Sequence, residues 1–220
     1  MTASLLEAVI KQDIKNIFFH INHVTVPEAM ELLIDSDDSC IDAFLGPAHV
    51  SVITGSKIYD IFPKKFATPV VVAGFEPVDM IQAISMIVKQ FAEQRCELEV
   101  QYKRLVSFEG NTIAQQKVAK YMQVADKFRW RGLGDIPGSS LELREEYARY
   151  DATKIYKDIL PDKPIDDHKL CKCGDILKGA GSPLDCPIFG TACKPNTPIG
   201  SCMVSSEGAC AAYYKYGGDI

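Results

Sequence analysis

The chain has 220 residues, eight cysteines and a net charge of −5, with acids and bases interspersed; no basic block marks a nucleic-acid or anionic-membrane surface. No apolar run approaches the roughly 20 residues of a membrane span, and the opening MTASLLEAVIKQD is too short in its apolar stretch and too acidic for a secretory signal. The expected compartment is the cytoplasm, where thiols stay reduced and clustered cysteines bind metal or do redox work.

In chain order, SLLEAVI has helical spacing behind Ser4 as N-cap, and NIFFHIN is a short apolar run expected to be a strand. TVPEAMELLID reads as a helix with a proline near its first position. IDAFLG is expected to be a second strand and GSKIYDIFPKKF a short helix. TPVVVAGF, with three successive valines between turn signals, has the pattern of a buried parallel strand. EPVDMIQAISMIVKQFAEQR is the longest expected helix, and ELEVQYKRLV alternates like an edge strand. NTIAQQKVAKYMQVAD is read as helix, FRWRGLG as a last strand ending in a glycine turn, and LELREEYARYDATKIY as a last helix. Alternation at this spacing implies an α/β fold, a mostly parallel sheet with helices on both faces.

Composition changes near position 161. Residues 161–220 hold fourteen Gly and Pro, against thirteen in residues 1–160. The expectation is an α/β domain over 1–160, PDKPIDDHK (161–169) as linker, and a small loop-rich domain over 161–220. Below roughly 70–80 residues an apolar core rarely suffices without metal or disulfides.

In open α/β sheets ligands bind beyond the carboxyl ends of the strands. Applied here, that rule gathers His20, Asn22 and His23, then His49 and Ser51 of GPAHVS, Glu76 and Asp79 of GFEPVD, and Arg129, Trp130 and Arg131 at one sheet edge. His49 and Glu76 are the candidate cleft residues. Each has a bland reading as well: a hydrogen-bonded structural histidine, and an acid suited to a helix start. Trp130 fits a core or interface position, and the two arginines a solvated surface.

Six cysteines lie between 171 and 210 at spacing C-x-C-x12-C-x6-C-x8-C-x7-C. Structural zinc favours CxxC knuckles and histidines, and neither occurs within this stretch. A disulfide framework would need an oxidising compartment. A [4Fe–4S] cluster needs four thiolates and tolerates varied loops, leaving two thiols for two-electron disulfide chemistry. The cluster is the favoured reading of the three. Cys40 and Cys96 read as isolated structural thiols.

The motifs GFEPVD (74–79), RWRGLGDIPGSSLEL (129–143), CKCGDILKG (171–179), DCPIFGTAC (185–193) and PIGSCMVSSEGACAAYYKY (198–216) resemble those of the HypD family of hydrogenase maturation factors. The resemblance covers essentially the whole chain. It implies a scaffold in assembly of the Fe(CN)2CO unit of [NiFe]-hydrogenases, working with a HypC-like chaperone and a HypE-like cyanide donor and, indirectly, the hydrogenase large subunit. It also implies a [4Fe–4S] cluster beside a redox disulfide. Carried onto this sequence, the ligands are Cys171, Cys186, Cys193 and Cys210, and the redox pair is Cys173 and Cys202. Exchanging Cys171 with Cys173, or Cys202 with Cys210, satisfies the spacing almost as well. The family's CGTH and GPGCPVC strings, tied to iron handling, do not occur in these 220 residues, and PGHVS is replaced by GPAHVS. The chain is thus expected to be a fragment or a short form, able to carry the Fe(CN)2CO iron only with the absent domain. The alternatives are an iron–sulfur thiol-disulfide oxidoreductase and a zinc-stabilised interaction module.

Overall fold

A computed structural model describes residues 1–160 and 168–217. In chain order the elements are α1 (Thr2–Lys11), α2 (Val26–Ile34), β1 (Phe44–Pro47), α3 (Ala48–Thr54), α4 (Ile61–Phe66), β2 (Val70–Ala73), α5 (Pro77–Ala92), β3 (Leu98–Val100), α6 (Thr112–Tyr121), β4 (Met122–Val124), β5 (Lys127–Trp130), β6 (Gly134–Pro137), β7 (Leu141–Leu143), α7 (Ala152–Ile155), α8 (Cys173–Leu177), α9 (Ser201–Val204) and α10 (Ala209–Tyr216). The mixed α/β class expected from the alternation is observed. No helix among the described residues is long and apolar enough to cross a membrane.

The chain divides into two compact units. The first comprises Met1–Pro27, Asp42–Ala125 and Ser140–Leu160. Its three-stranded sheet has the order β1-β2-β3, parallel throughout. Val70, Val71 and Val72 of β2 are fully buried: a central strand covered on both faces takes a run of β-branched residues rather than an alternating pattern. α5 follows β2, with Pro77 in its first turn and Glu76 at the extended N-cap position. Pro suits that place because its missing N–H has no helical partner there. α5 closes onto the sheet through Ala83, Met80, Met86 and Ile87 against Val71 and Ala73. α6 starts at Asn111, whose side chain accepts the Ala114 N–H at 2.9 Å.

A second apolar cluster holds α1 down: Ala3, Leu6 and Val9 meet Phe19, Tyr121, Met122, Leu143 and Tyr150.

Several expected elements take another form. NIFFHIN is not a strand of the sheet; Phe19 makes one bridge to Asp151, with Phe19 N–H on the Tyr150 carbonyl at 2.7 Å. Its apolar run signalled burial of Phe19 in the α1 cluster, not a ladder. His20, Asn22 and His23 therefore do not sit at a strand end; His23 contacts the Thr2 hydroxyl at 3.0 Å. The helix expected over LELREEYARYDATKIY is broken into β7, a 3-10 turn at Glu145–Tyr150 and the four-residue α7. Leu143, Tyr147 and Tyr150 have helical spacing, but Asp151 restarts the chain by accepting the Thr153 N–H at 2.8 Å. α6 ends at Tyr121, and Met122 enters β4, paired antiparallel with β7. α3, rich in β-branched residues, was not foreseen.

The second unit comprises Glu28–Ile41, Asp126–Ser139 and Pro161–Ile220. The cysteine-rich segment thus folds with two stretches from earlier in the chain. The expected linker lies mostly outside the described residues. FRWRGLG is a strand, but β5 pairs antiparallel with β6 as a hairpin and does not join the parallel sheet. Trp130, half-buried, donates its indole N–H to Ser139 Oγ at 2.8 Å, and Ser139 passes the bond to the Ile136 carbonyl at 2.8 Å.

Leu6 is fully buried where α1 meets α6 and the α1 cluster. Leu6→Ala is expected to cost about 2–5 kcal/mol through lost burial and a residual cavity, read as a lowered urea midpoint with unchanged slope.

Candidate functional site

Five of the six clustered cysteines are buried in one core: Cys173, Cys186, Cys193, Cys202 and Cys210, with Cys171 half-buried beside them. Hydrocarbon supplies the rest of that core through Ile188, Met203 and Ala211, with Ile176, Leu177, Phe189 and Ile199 at its margin. Short local devices aim each sulfur. Cys173 opens α8, Cys202 lies in α9 and Cys210 in α10. Cys186 follows the 3-10 turn Pro183–Asp185, which Ser182 caps and whose Asp185 carboxylate accepts the Ser182 N–H at 2.7 Å. Cys186 Sγ stands 3.7 Å from the Leu170 carbonyl, and Cys193 Sγ receives the Ile199 N–H at 3.4 Å.

Cys173 and Cys202 both lie buried in this core. Cys173 Sγ is also 3.0 Å from Ser201 Oγ, which donates to the Arg131 carbonyl at 3.2 Å. Arg131 in turn donates to the Ile199 carbonyl. The hairpin turn therefore braces the thiol core. Two glycines make room for sulfur. A Cβ on Gly200 would stand 2.6 Å from Cys171 Sγ, and one on Gly132, whose φ is +85°, 3.3 Å from Cys173 Sγ.

The electrostatics follow from crowding. The Cys202 thiol is pushed up by the Cys173 side chain, then by burial and neighbouring thiols. Cys210 is pushed up to about 11, first by burial and then by the charges that Cys173, Cys186, Cys171 and Cys193 would carry. Burial raises Cys171 too, partly offset by the Cys173 backbone N–H. Metal loading of such thiols displaces protons. Among the described residues no three His, Cys, Asp or Glu side chains are already set to hold a metal ion. The chemistry of the donor set still fits an iron–sulfur cluster. Its ligands are thiolates, four suffice, and six thiols share this core.

Cys40 is exposed; its N–H bonds the Lys178 carbonyl at 2.8 Å, beside an Asp38–Lys178 ion pair of 2.9 Å. Cys96 is half-buried, 3.9 Å from the Pro63 carbonyl.

The first unit holds the other candidate. β1 and β2 end side by side, Pro47 opposite Ala73. His49 follows the one and Glu76 the other. The exposed His49 ring lies 5.1 Å from that of Phe75. Glu76 is ion-paired with Arg104, which also forks onto buried Asp79 at 2.8 and 3.1 Å. Gln101 donates to Asp79 at 2.8 Å, and the Arg104 guanidinium lies 3.8 Å over the Tyr102 ring. Gly74 admits this packing, since a Cβ there would stand 2.2 Å from Asp79 Oδ2. Gln101, Tyr102 and Arg104 were missed. The strand-end rule, applied to β3 as it was to β1 and β2, would have found them in QYKR.

Arg104 and Glu76 hydrogen bonds hold Asp79 down at about 2, and the same bond to Asp79 raises Glu76. The edge is a clasp of one guanidinium between two carboxylates, joining the loops after β2 and β3.

A family model described as "Hydrogenase formation hypA family", named HypD, matches residues 1–217. The chain belongs to the HypD family. Among relatives, the hydrogenase maturation factor HypD2 of Bradyrhizobium diazoefficiens is 47% identical over 222 residues, covering 98% of this chain and 58% of that protein. HypD of Cupriavidus necator is 42% identical over 98% of this chain and 58% of its own length. HypD of Escherichia coli is 40% identical over 98% of this chain and 57% of its own length. This HypD-family chain thus spans somewhat over half the length of those curated relatives.

Asp79 favours its ionised form in the folded state, about 2 against an ordinary 3.8. Its contribution is therefore present above that ordinary value and lost as pH falls toward about 2; raised Glu76 acts in the opposite direction. Asp79→Asn is expected to lower the urea midpoint at neutral pH, with the difference from wild type shrinking toward pH 2. An equal difference at both pH values would contradict the clasp.

Proposed function

We propose that this chain serves [NiFe]-hydrogenase maturation as a scaffold and redox component in assembling the Fe(CN)2CO unit. Family membership supports the process, and the shared thiol core, in which Cys173 and Cys202 are both buried, is the observation that carries the redox role. The partners proposed are a HypC-like chaperone and a HypE-like cyanide donor in the cytoplasm. The iron of the assembled unit is cargo. Its holding is proposed to need the part of the relatives that this chain does not span.

Cys171, Cys186, Cys193 and Cys210 are proposed to hold a [4Fe–4S] cluster, which when bound would give or take single electrons. Cys173 and Cys202 are left to act as thiols. Their oxidation forms one S–S bond and releases two electrons and two protons; a partner protein's disulfide, as oxidant, is reduced to two thiols by exchange. Ser201 and Gly132 support that role, the hydroxyl orienting Cys173 Sγ and the glycine giving it space. The shared burial of Cys173 and Cys202 equally favours a second reading, a thiol-disulfide oxidoreductase acting on its own protein substrate. Restoration of hydrogenase activity in a strain lacking the maturation factor, tested with the chain extended to the relatives' full length, separates the two.

Protein reconstituted anaerobically is expected to hold about four iron and four sulfide per chain. Stoichiometric zinc without iron would sink the cluster assignment.

Cys173→Ala and Cys202→Ala are each expected to keep the cluster absorbance and lose a reducible disulfide, whereas Cys186→Ala should bleach it. Loss of iron in Cys173→Ala but not in Cys171→Ala would reverse the assignment of that pair.

A further inference from the structure

β3 is an outer strand of the parallel sheet, paired on one side only. On that side Val70 N–H bonds the Glu97 carbonyl at 3.2 Å and Gln101 N–H the Val72 carbonyl at 2.8 Å. Residues 97, 99 and 101 therefore face β2, and the N–H and C=O groups of Leu98 and Val100 point off the edge. Among the described residues these four groups have no hydrogen-bond partner. A cavity of about 590 Å³ runs along the same edge. It touches five successive residues, Cys96 to Val100. A cavity over one face of a strand would touch only alternate ones, because successive side chains leave by opposite faces. Its other walls include Pro63, Lys103, Val106 and Phe108, together with Ser56. These walls are tied to one another. Ser56 N–H bonds the Ser107 carbonyl and Lys57 N–H the Phe108 carbonyl, each at 3.1 Å, and Lys57 pairs with Glu109 at 2.8 Å. Ser56 is only 2% exposed, yet it lines the cavity, and its hydroxyl has no partner among the described residues.

We propose that β3 receives an extended segment of a partner protein as a fourth, parallel strand, with an acidic side chain of that segment set on Lys103. Three observations choose this occupant. Backbone is the first. The outward groups of Leu98 and Val100 repeat after roughly 6.6 Å, two residues of strand rise, and a second extended backbone offers donors and acceptors at that repeat. In such strand addition the main chain supplies affinity and alternate side-chain pockets supply selectivity. The walls are the second. Val106 is buried at the cavity and Phe108 and Leu98 flank it, so apolar side chains on one face of the added strand find apolar neighbours while Ser56 offers a hydroxyl. Charge is the third. Glu97 is held by Arg95 at 2.8 Å, Glu99 by Gln90 at 2.7 Å, and Lys64 by Asp60. Lys103 is exposed and has no ion pair among the described residues. It lies just past the carboxyl end of β3, where the downstream end of a parallel strand arrives. The inference is independent of the thiol chemistry.

The test is titration of the 220-residue chain, kept reduced and anaerobic, with the capped hexapeptide VTVTVE, followed through the backbone amide NMR signals. Saturable shifts confined to residues 96–103 and the facing wall are expected, with a Kd of about 0.1–1 mM, as suits a contact well under ~1,200 Å². The Leu98 and Val100 amides should also gain protection from hydrogen exchange. Val100→Pro removes an outward N–H and no ladder bond, which an edge strand tolerates; it should weaken binding about 10-fold. Lys103→Glu should weaken binding about 5-fold or more and transfer the preference to VTVTVK. Circular dichroism checks that both variants are folded. The same peptide N-methylated on the residues that face β3 should not bind. Absence of saturable shifts with millimolar VTVTVE would overturn the proposal. Equal binding by the N-methylated peptide would refute strand addition and make the cavity a side-chain pocket. A wild-type chain that prefers VTVTVK would refute the role of Lys103 and the parallel register.

Discussion

Sulfur, more than hydrocarbon, is what the second unit has to bury. A segment of this size, dense in Gly and Pro, cannot remove enough apolar surface from water to offset the entropy of ordering its loops. Its core is instead made of thiols, which behave as small hydrophobes when protonated. The remaining features of the unit serve that packing. Arg131, Ser201 and the bare Cα atoms of Gly132 and Gly200 shape the space around Cys171 and Cys173. The Asp38–Lys178 pair and the Cys40 backbone tie the earlier stretch to the turn after α8.

The first unit solves the ordinary problem. Its fully covered Val70–Val72 run fixes the sheet, and the sheet fixes where the loops after β1, β2 and β3 emerge. The Arg104 fork closes two of those loops. Tyr102 below and Asp79 beneath hold the guanidinium between a ring face and a carboxylate, which a lysine could not reproduce at this geometry.

What was legible followed how local the signal was. Three adjacent valines announced β2, and Pro77 announced the start of α5, because each statement concerns neighbours in the chain. The grouping of six cysteines was legible too, from density alone. The reading failed where tertiary packing overrode pattern. An apolar run at 16–22 reported that Phe19 is buried, and burial does not require a strand. Tyr147 and Tyr150 kept helical spacing across a backbone that is not α-helical. Arg104 lies just past the end of β3, where the strand-end rule had not been applied, and its partners Glu76 and Asp79 are more than twenty residues away. The joining of 28–41 and 126–139 to the cysteine-rich segment left no mark in composition.

The eight thiols also divide by access to reagents. Cys40 alone is exposed, Cys96 and Cys171 are intermediate, and five are buried. Attack on sulfur needs both access and a thiolate, so electrophiles in solution sort these residues by rate. A brief pulse of a maleimide dye, quenched early, would mark Cys40 before the core. That gives the protein a built-in attachment point for a fluorophore or spin label, placed on the same unit as the buried thiol core and read without altering it.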